Sequence, residues 1–317
     1  NVIMFQVRGE ADALYESRYE PWSRFLTGQQ GKAPEQRWDP LAWMVQQCHQ
    51  RGMEIHAWIN PFRAKTKGTT LLANTHYAVR HPERCFSYDG LLIMDPALQE
   101  NRTYICRVAS DIVRRYDVDG LHIDDYFYPT RDGSIDRAEY EKYVSDGGEK
   151  GLSEWRRDSV SAFAAGLCAL VKSYGSNKIF SISPAGNIDG NENALFADVE
   201  LWLSAPGYAD YIIPQIYFGF ENQILPFKST AERWAEISDG RVGIIWGLAA
   251  YKCGTRDKNA KTGSCEWTEN TDIIARQLSF VRSLNAYCGF ALFSYSYMFG
   301  KINENAKKEM KNLENML

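Results

Sequence analysis

The chain of 317 residues is 44% hydrophobic and 24% charged, which is enough for a large core in a single domain. Its formal net charge is −4 and its lysines and arginines are dispersed, so the sequence predicts no nucleic-acid partner. No stretch approaches the roughly 20 apolar residues that cross a bilayer. No membrane span is therefore predicted.

Short apolar runs alternate with segments of helical period along the whole chain, a pattern typical of repeated βα units around a parallel sheet. Seven strands are predicted, at 2–8, 54–60, 119–125, 178–184, 211–217, 242–248 and 288–294. Helices are predicted between Asp39 and Gly52, over apolar stripes at 105–116 and 160–171, at 271–285, and from about 302 onward.

The predicted fold class is α/β, a (β/α)8 TIM-type barrel built by one domain over residues 1–317. Seven strands are one short of the closed barrel. Because the chain begins directly in a strand, we expect the missing first strand to precede Asn1.

Polar residues occupy the face of these strands that points into the barrel. Side chains alternate along a strand, so assigning the aliphatic positions to the helix side leaves the polar positions inside. The last inward residues of five strands are Arg8, Asn60, Asp124, Ser183 and Tyr217. Deeper inward positions hold Gln6, His56, Trp58, His122, Ser181 and Gln215. Barrel enzymes keep their chemistry at the carboxyl ends of the strands, so this layer predicts a site.

Asp124 is the main catalytic candidate, because a carboxylate held among inward groups is costly unless it has a function or a partner. Glycoside hydrolysis normally uses two carboxyl groups about 5 to 9.5 Å apart. The second group stays open at this point. Adjacent Asp125 points away in an undistorted strand, and the loops offer Asp12, Asp95, Asp189 and Glu221.

A two-histidine, one-carboxylate metal site is an alternative use of His56, His122 and Asp124. No third histidine or HxH spacing supports it, so hydrogen bonds that orient Asp124 are the favoured interpretation. No GxSxG, GxGxxG or GxxxxGK[ST] pattern follows a strand. We therefore predict no cofactor.

Aromatic side chains in or beside the predicted rim loops are candidates for stacking on sugar rings, with core packing as the equal alternative. They are Trp22, Phe62, Tyr126, Phe127, Tyr128, Trp246 and Tyr251.

Cys253 and Cys265 bracket the polar loop CGTRDKNAKTGSC, which predicts a loop disulfide, with two free thiols as the alternative. The other cysteines that fall within apolar patterns are predicted to be core residues. They are Cys48, Cys106, Cys168 and Cys288.

Four stretches carry a resemblance to a known family: FQVRGEADALYESRYEPWSRFLTGQQGKAP, WDPLAWMVQQCHQRGMEIHAWINPFR, YDVDGLHIDDYFYP and DYIIPQIYF. In these the chain resembles the bacterial glycosyl-hydrolase-like family ten. The resemblance implies a (β/α)8 hydrolase that acts on a polysaccharide, with N-acetylhexosamine-containing peptidoglycan strands stripped of stem peptides among the candidates. It also implies export to the periplasm or cell surface, with a lipid anchor carried by a segment outside this chain as one route.

The same resemblance puts Asp124 and Asp125 in the family's acidic pair. Residues in its other motif strands are Arg8, Asp12, Asn60, Gln215 and Tyr217. The family's usual first strand, of the WVATV type, has no counterpart here. DGLHIDDYFYP is also similar to the DGxDxDxEYP strand of chitinases, but Tyr126 stands in the place of their essential glutamate. A direct chitinase assignment therefore fails, while substrate-assisted chemistry with Asp124 stays open.

The predicted function is hydrolysis of O-glycosidic bonds in an oligo- or polysaccharide, with Asp124 and Asp125 catalytic, no metal, and His122 and Arg8 steadying Asp124. The predicted substrate-binding residues are Arg8, Asp12, His56, Asn60, His122, Tyr126, Ser183, Gln215, Tyr217 and Trp246. The alternatives are a non-catalytic carbohydrate-binding barrel and a metal-dependent polysaccharide deacetylase or hydrolase. The sequence makes no prediction of oligomeric state.

Overall fold

The structure is a computed structural model that describes residues 1–300 and 302–317. These residues divide into two compact units. The first unit comprises Asn1–Ile182, Glu192–Asp198 and Gly207–Asp210, and the second Ser183–Asn191, Val199–Pro206 and Tyr211–Leu317. That the whole chain is one domain stays a prediction.

The strands of the described residues are β1 (Val2–Arg8), β2 (Glu54–Ile59), β3 (Arg63–Lys65), β4 (Cys85–Tyr88), β5 (Leu91–Met94), β6 (Gly120–Ile123), β7 (Ile179–Ile182), β8 (Tyr211–Ile212), β9 (Gly243–Leu248) and β10 (Tyr287–Leu292). All seven predicted strands are present. The predicted strand at 211–217 is shortened most, because Pro214 lacks the N–H that a strand ladder needs. β3, β4 and β5 form a small antiparallel sheet that the sequence did not predict.

The helices of the described residues are α1 (Arg24–Thr27), α2 (Pro40–His49), α3 (Tyr77–Arg80), α4 (Gln99–Arg115), α5 (Arg137–Ser145), α6 (Leu152–Ser173), α7 (Ile188–Gly190), α8 (Val199–Ser204), α9 (Phe227–Glu236), α10 (Glu266–Glu269), α11 (Ile273–Val281) and α12 (Glu304–Glu314). The predicted start of α2 is confirmed, since the Asp39 carboxylate accepts the Ala42 N–H at 3.0 Å. Across the described residues, no helix has both the length and the apolar character needed to cross a bilayer.

Four parallel strands of the first unit run in the order β1–β2–β6–β7. The aliphatic side chains of β2 and β6 are buried on the side of the helices, where α4 and α6 supply apolar stripes. On the opposite face Trp58, His122 and Ser181 lie side by side in register. The His122 Nδ1 is 2.8 Å from the Ser181 hydroxyl, and its ring packs edge-on to Trp58. The predicted alternation is therefore confirmed for β2, β6 and β7.

Close packing at the start of β6 depends on a glycine. A Cβ on Gly120 would lie 2.7 Å from the Ile179 carbonyl oxygen and 2.9 Å from the His56 ring. Since nothing larger than hydrogen fits, His56 can cover the backbone of β6 directly.

Three parallel strands of the second unit run in the order β8–β9–β10. β8 is extended by isolated bridges from Gln215 to Ala185 and to Gly247. The core of this unit contains four fully buried tryptophans, which are Trp202, Trp234, Trp246 and Trp267.

The predicted disulfide is wrong, because Cys253 and Cys265 are free thiols. Their loop is held instead by the Lys252–Asp257 ion pair at 2.6 Å and by the Asp257 N–H, which donates to the Ser264 carbonyl. Burial raises the pKa of the Cys253 thiol to about 12. Cys48 and Cys168 are core residues as predicted, whereas Cys288 is exposed on β10.

Candidate active site

The carboxyl ends of β2 and β6 bring together a carboxyl group and two donors. The strands pair from His56 to Ile59, so Asn60 and Asp124 follow at the same edge of the sheet. The Trp58 indole N–H donates to Asp124 Oδ2 at 3.0 Å, and the Asn60 amide nitrogen lies 3.2 Å from both carboxyl oxygens. Asp124 is only 3% exposed. The candidate catalytic carboxyl is thus held in one orientation by neutral donors.

Burial raises the pKa of Asp124 to about 7, and the negative charge of Asp125 adds to the effect. The charge of Arg63 and the hydrogen bonds from Trp58 and Asn60 act in the opposite direction. A carboxyl group with this pKa keeps a proton to near neutral pH, as a general acid requires.

An Asn60→Ala variant should raise the pKa of Asp124 further, because it removes donors that stabilise the charged carboxylate. The protonated acid would then persist to higher pH, so the alkaline limb of the activity profile should move upward. Carboxyl titration by NMR and the pH dependence of kcat/KM both measure the shift. Asn305→Ala, a control on α12 in the second unit, should leave the titration unchanged. An unaltered titration in the Asn60 variant would contradict the prediction.

Arg63 and Tyr126 lie beside this carboxyl. The Arg63 N–H donates to Asn60 Oδ1 at 3.0 Å, which fixes the amide that binds Asp124. The Arg63 guanidinium lies over the Tyr126 ring, 4.5 Å from its centre, and its Nε donates to the Gly9 carbonyl. Tyr126 is 48% exposed and so presents a ring to solvent.

Arg8 forms no direct bond to Asp124 among the described residues, so the predicted contact is corrected to an indirect one through Asn60. Its fully buried guanidinium forms an ion pair with Glu20 at 2.8 Å and donates to the carbonyls of Asn60 and Pro61. Arg8 therefore supports the backbone at the end of β2. His122 likewise bonds Ser181, and the donors to Asp124 are Trp58 and Asn60.

Both inward histidines have lowered pKa values. Burial lowers the pKa of His122 to about 3, with the charge of His56 adding to the shift. Burial also lowers the pKa of His56, whose Nε2 lies 3.3 Å from Glu54. Within the described residues, no group of three histidine, cysteine or acidic side chains is arranged to hold a metal. The metal-dependent alternative therefore has no ligand cluster there.

The other candidates for the second carboxyl have structural partners. Asp12 is buried and accepts the Glu10 N–H and the Gln30 amide, each at 3.2 Å. Asp189 forms an exposed ion pair with Arg233 at 2.8 Å. Glu221 is exposed.

Burial raises the pKa of Asp95 to about 7 as well, but the charges that act on Asp95 are those of Asp136, Glu139 and Arg156. It accepts the Ala97 N–H at 2.8 Å, in the turn before α4. Asp125, which is partly exposed and acts directly on Asp124, remains the candidate that shares its surroundings.

Residues 1–264 match the model of the family described as Glycosyl hydrolase-like 10. The chain belongs to this family. The predicted resemblance is therefore confirmed.

Curated members of this family share close to a third of their residues with the chain. Glycosyl hydrolase YngK of Bacillus subtilis (strain 168) is 33% identical over an alignment of 315 positions, which covers 93% of this chain and 60% of that protein. Glycosyl hydrolase DigH of Escherichia coli (strain K12) is 30% identical over an alignment of 327 positions, which covers 94% of this chain and 72% of that protein. The chain thus spans about 60% of the length of the Bacillus relative.

Two solved structures with a similar fold are a glycoside hydrolase domain and a fucosidase. The glycoside hydrolase domain of PgaB (BpsB) from Bordetella bronchiseptica matches with a TM-score of 0.59 and 13% identity over 93% of this chain and 84% of that one. Alpha-L-fucosidase isoenzyme 2 from Paenibacillus thiaminolyticus matches with a TM-score of 0.61 and 10% identity over 100% and 44%. At these identities the likeness shows the fold, which is the predicted α/β TIM-type barrel class with seven parallel strands.

Two predicted substrate-binding residues of the second unit, Ser183 and Gln215, are hydrogen-bonded to backbone carbonyls of that unit. The Ser183 hydroxyl donates to the Ile213 carbonyl at 2.8 Å, and the Gln215 amide donates to the Ser183 carbonyl at 2.9 Å. Trp246 is fully buried, and its indole nitrogen has no partner among the described residues. Its substrate-binding role stays a prediction, but a ligand could reach it only if the structure moved.

Aromatic rings cluster around Tyr217 in the second unit. Tyr217 stacks on Phe293 at a centroid distance of 5.8 Å and meets Tyr251 edge-on at 5.7 Å. Tyr297 packs against Tyr251 and is 48% exposed. Of the rings predicted for sugar stacking, Phe62, Phe127 and Tyr128 are core residues instead.

Sequence reasoning missed Arg63, Phe293 and Tyr297. Arg63 begins a strand too short to show a periodic pattern, although it follows Asn60 by three residues. Phe293 directly follows β10, and Tyr297 comes four residues later. The rings predicted to stack on sugars lie in or beside other strands. The position of Phe293 and Tyr297 just after a strand is the sequence signal that could have identified them.

Proposed function

We propose that the chain is a glycoside hydrolase that cleaves O-glycosidic bonds in a polysaccharide, with Asp124 as the general acid. The observation that carries the proposal is a buried carboxyl with a pKa raised to about 7, at the carboxyl end of a barrel strand. Membership of a glycosyl hydrolase-like family supports the reaction class.

In the proposed reaction the Asp124 carboxyl donates its proton to the glycosidic oxygen while the bond from that oxygen to C1 breaks. The leaving alcohol keeps the bonding electron pair, and positive charge develops at C1 and the ring oxygen. A water molecule then bonds to C1 and gives up a proton, from which the Asp124 carboxyl is regenerated. The carboxylate left on Asp124 is stabilised by the Trp58 and Asn60 donors.

Asp125 is the proposed second carboxylate. It is partly exposed beside Asp124, and its negative charge favours the positive charge that develops on the sugar. Asp12 is a weaker candidate, because both of its oxygens accept bonds from the loop that contains it.

We propose peptidoglycan glycan strands without stem peptides as the substrate, and the periplasm or cell surface as the location. Both proposals rest on the sequence resemblance, above all on the stretches containing Arg8 and Asp124. The curated relatives are longer than this chain, so the proposal concerns only the part of such a protein that these residues form.

The test is release of new reducing ends from a panel of glycans. The panel contains peptidoglycan strands with and without stem peptides, N-acetylglucosamine oligomers and their de-N-acetylated counterparts. We expect release from the stripped strands. Binding of those strands without release at any pH at which the chain is folded would favour the alternative, a non-catalytic carbohydrate-binding barrel.

A further inference from the structure

We propose that Arg63 determines substrate specificity by binding a carboxylate that the sugar carries next to the scissile bond. The inference rests on the proposed function and names a recognition element within the same site. It concerns the charge of the substrate and not the reaction itself.

The position of Arg63 ties it to the catalytic carboxyl. Its backbone N–H holds the side chain of Asn60, and that side chain binds Asp124. The Arg63 charge also acts directly on the Asp124 carboxyl. A substrate group that contacts Arg63 would therefore lie close to the bond that Asp124 protonates.

The guanidinium is held in place before any ligand arrives. Its Nε donates to the Gly9 carbonyl at 3.0 Å, and its Cζ lies over the half-exposed ring of Tyr126, 4.5 Å from the ring centre. Contact with an aromatic face leaves guanidinium N–H groups able to bind a planar anion. This arrangement reduces the entropy lost on binding.

Three arginines of the first unit that are largely withdrawn from solvent have carboxylate partners. Arg8 pairs with Glu20, Arg156 with Asp136 and Arg115 with Asp111. Arg102 has none within the described part of the chain, but its guanidinium donates to the carbonyls of Pro96 and Ala97. Among the residues that the structure describes, no carboxylate lies within ion-pairing distance of Arg63. Its fork of donors matches the two oxygens of a carboxylate, which is the ligand of Arg8, Arg156 and Arg115.

The surrounding charges favour the same conclusion. Asp124 and Asp125 stand at the site and the chain carries a net charge of −4, so an acidic sugar would be repelled without a local cation. On the proposed substrate the anion is the lactyl carboxylate of N-acetylmuramic acid. That group is free on a stripped strand and becomes a neutral amide when a stem peptide is attached.

The test is binding of two probes to an Asp124→Asn protein, in which we expect turnover to be about 10²- to 10⁴-fold slower. One probe is a stripped peptidoglycan oligosaccharide with free lactyl carboxylates, and the other is the same oligosaccharide with those carboxylates converted to methylamides. We expect the free form to bind about 10- to 100-fold more tightly, as for a charge-assisted bidentate contact.

Adding Arg63→Gln should abolish this preference, and adding Arg63→Lys should retain part of it, since lysine keeps the charge without the fork. Arg107→Gln, on the exposed face of α4, is the matched control and should retain the full preference. Equal binding of both probes by the Asp124→Asn protein would overturn the inference. So would an undiminished preference in folded protein that also carries Arg63→Gln. Because the readout is binding, a failure of hydrolysis alone would count against the proposed function and not against this one.

Discussion

An Asp124→Asn variant is expected to lose about 10²- to 10⁴-fold in kcat/KM on any glycan that the parent cleaves. An asparagine has nearly the shape of the aspartic acid but no acidic proton to give to the glycosidic oxygen. The variant's amide oxygen can still accept from Trp58 or Asn60 at one of the two carboxyl oxygen positions, but its amide nitrogen cannot accept at the other. A modest loss of stability is therefore expected beside the loss of activity. Initial rates of reducing-end release, with thermal unfolding measured alongside, give the comparison.

The matched control is Asp117→Asn. Asp117 is an exposed residue before β6, 3.3 Å from Lys178, and lies at the opposite end of that strand from Asp124. Surface ion pairs contribute little, so this variant should keep the parent's activity and stability. Full activity in the Asp124 variant, or an equal loss in both variants, would exclude Asp124 as the general acid.

The pH profile of the parent follows from the same group. Burial raises the pKa of Asp124 to about 7, so the proton-donating form is present below that pH and is lost as pH rises through it. Activity should therefore fall on an alkaline limb near pH 7 that belongs to this carboxyl. A limb set by an unperturbed aspartic acid would lie near its ordinary pKa of about 4.

The part of the site that the sequence predicted is the part carried by regular strands. Alternation along β2 and β6 is enough to put Asn60 and Asp124 on one face, and parallel pairing then aligns their ends. What alternation does not give is the identity of the donors. Trp58 and Asn60 reach Asp124 because of the length and rotamer of their side chains. The alternation of residues along a strand predicts neither of these properties.

Irregular segments explain most of the errors. The partner of Arg8 is Glu20, which lies twelve residues later in a loop without a periodic pattern. Strand alternation does not predict this partner, and the sequence predicts instead that Arg8 steadies Asp124 and binds substrate. Arg63 belongs to a three-residue strand whose neighbour, β5, lies some thirty residues further along the chain. Non-local pairings of this kind leave no local sequence pattern.

Arg8→Met is the substitution with the largest expected effect on stability, a loss of about 3–5 kcal/mol. Arg8 and Glu20 are both fully buried, and methionine would leave the Glu20 carboxylate without its cation. The carbonyls of Asn60 and Pro61 would lose their donors as well. Denaturant unfolding followed by tryptophan fluorescence measures the loss, with Arg107→Met on the exposed face of α4 as the matched control.

A double variant, Arg8→Met with Glu20→Leu, separates the two sources of that loss. If the penalty comes from an unpaired buried charge, removing the charge should recover much of the stability, because apolar replacements of buried ion pairs are often close to neutral. If it comes from the carbonyls of Asn60 and Pro61, the double variant should remain as unstable as Arg8→Met. A loss below about 1 kcal/mol in the single variant, the range of exposed pairs, would show that the pair is not desolvated as described. If the double variant stays as unstable as Arg8→Met, the lost bond to the Asn60 carbonyl should also weaken the hydrogen bond from Asn60 to Asp124 and lower activity.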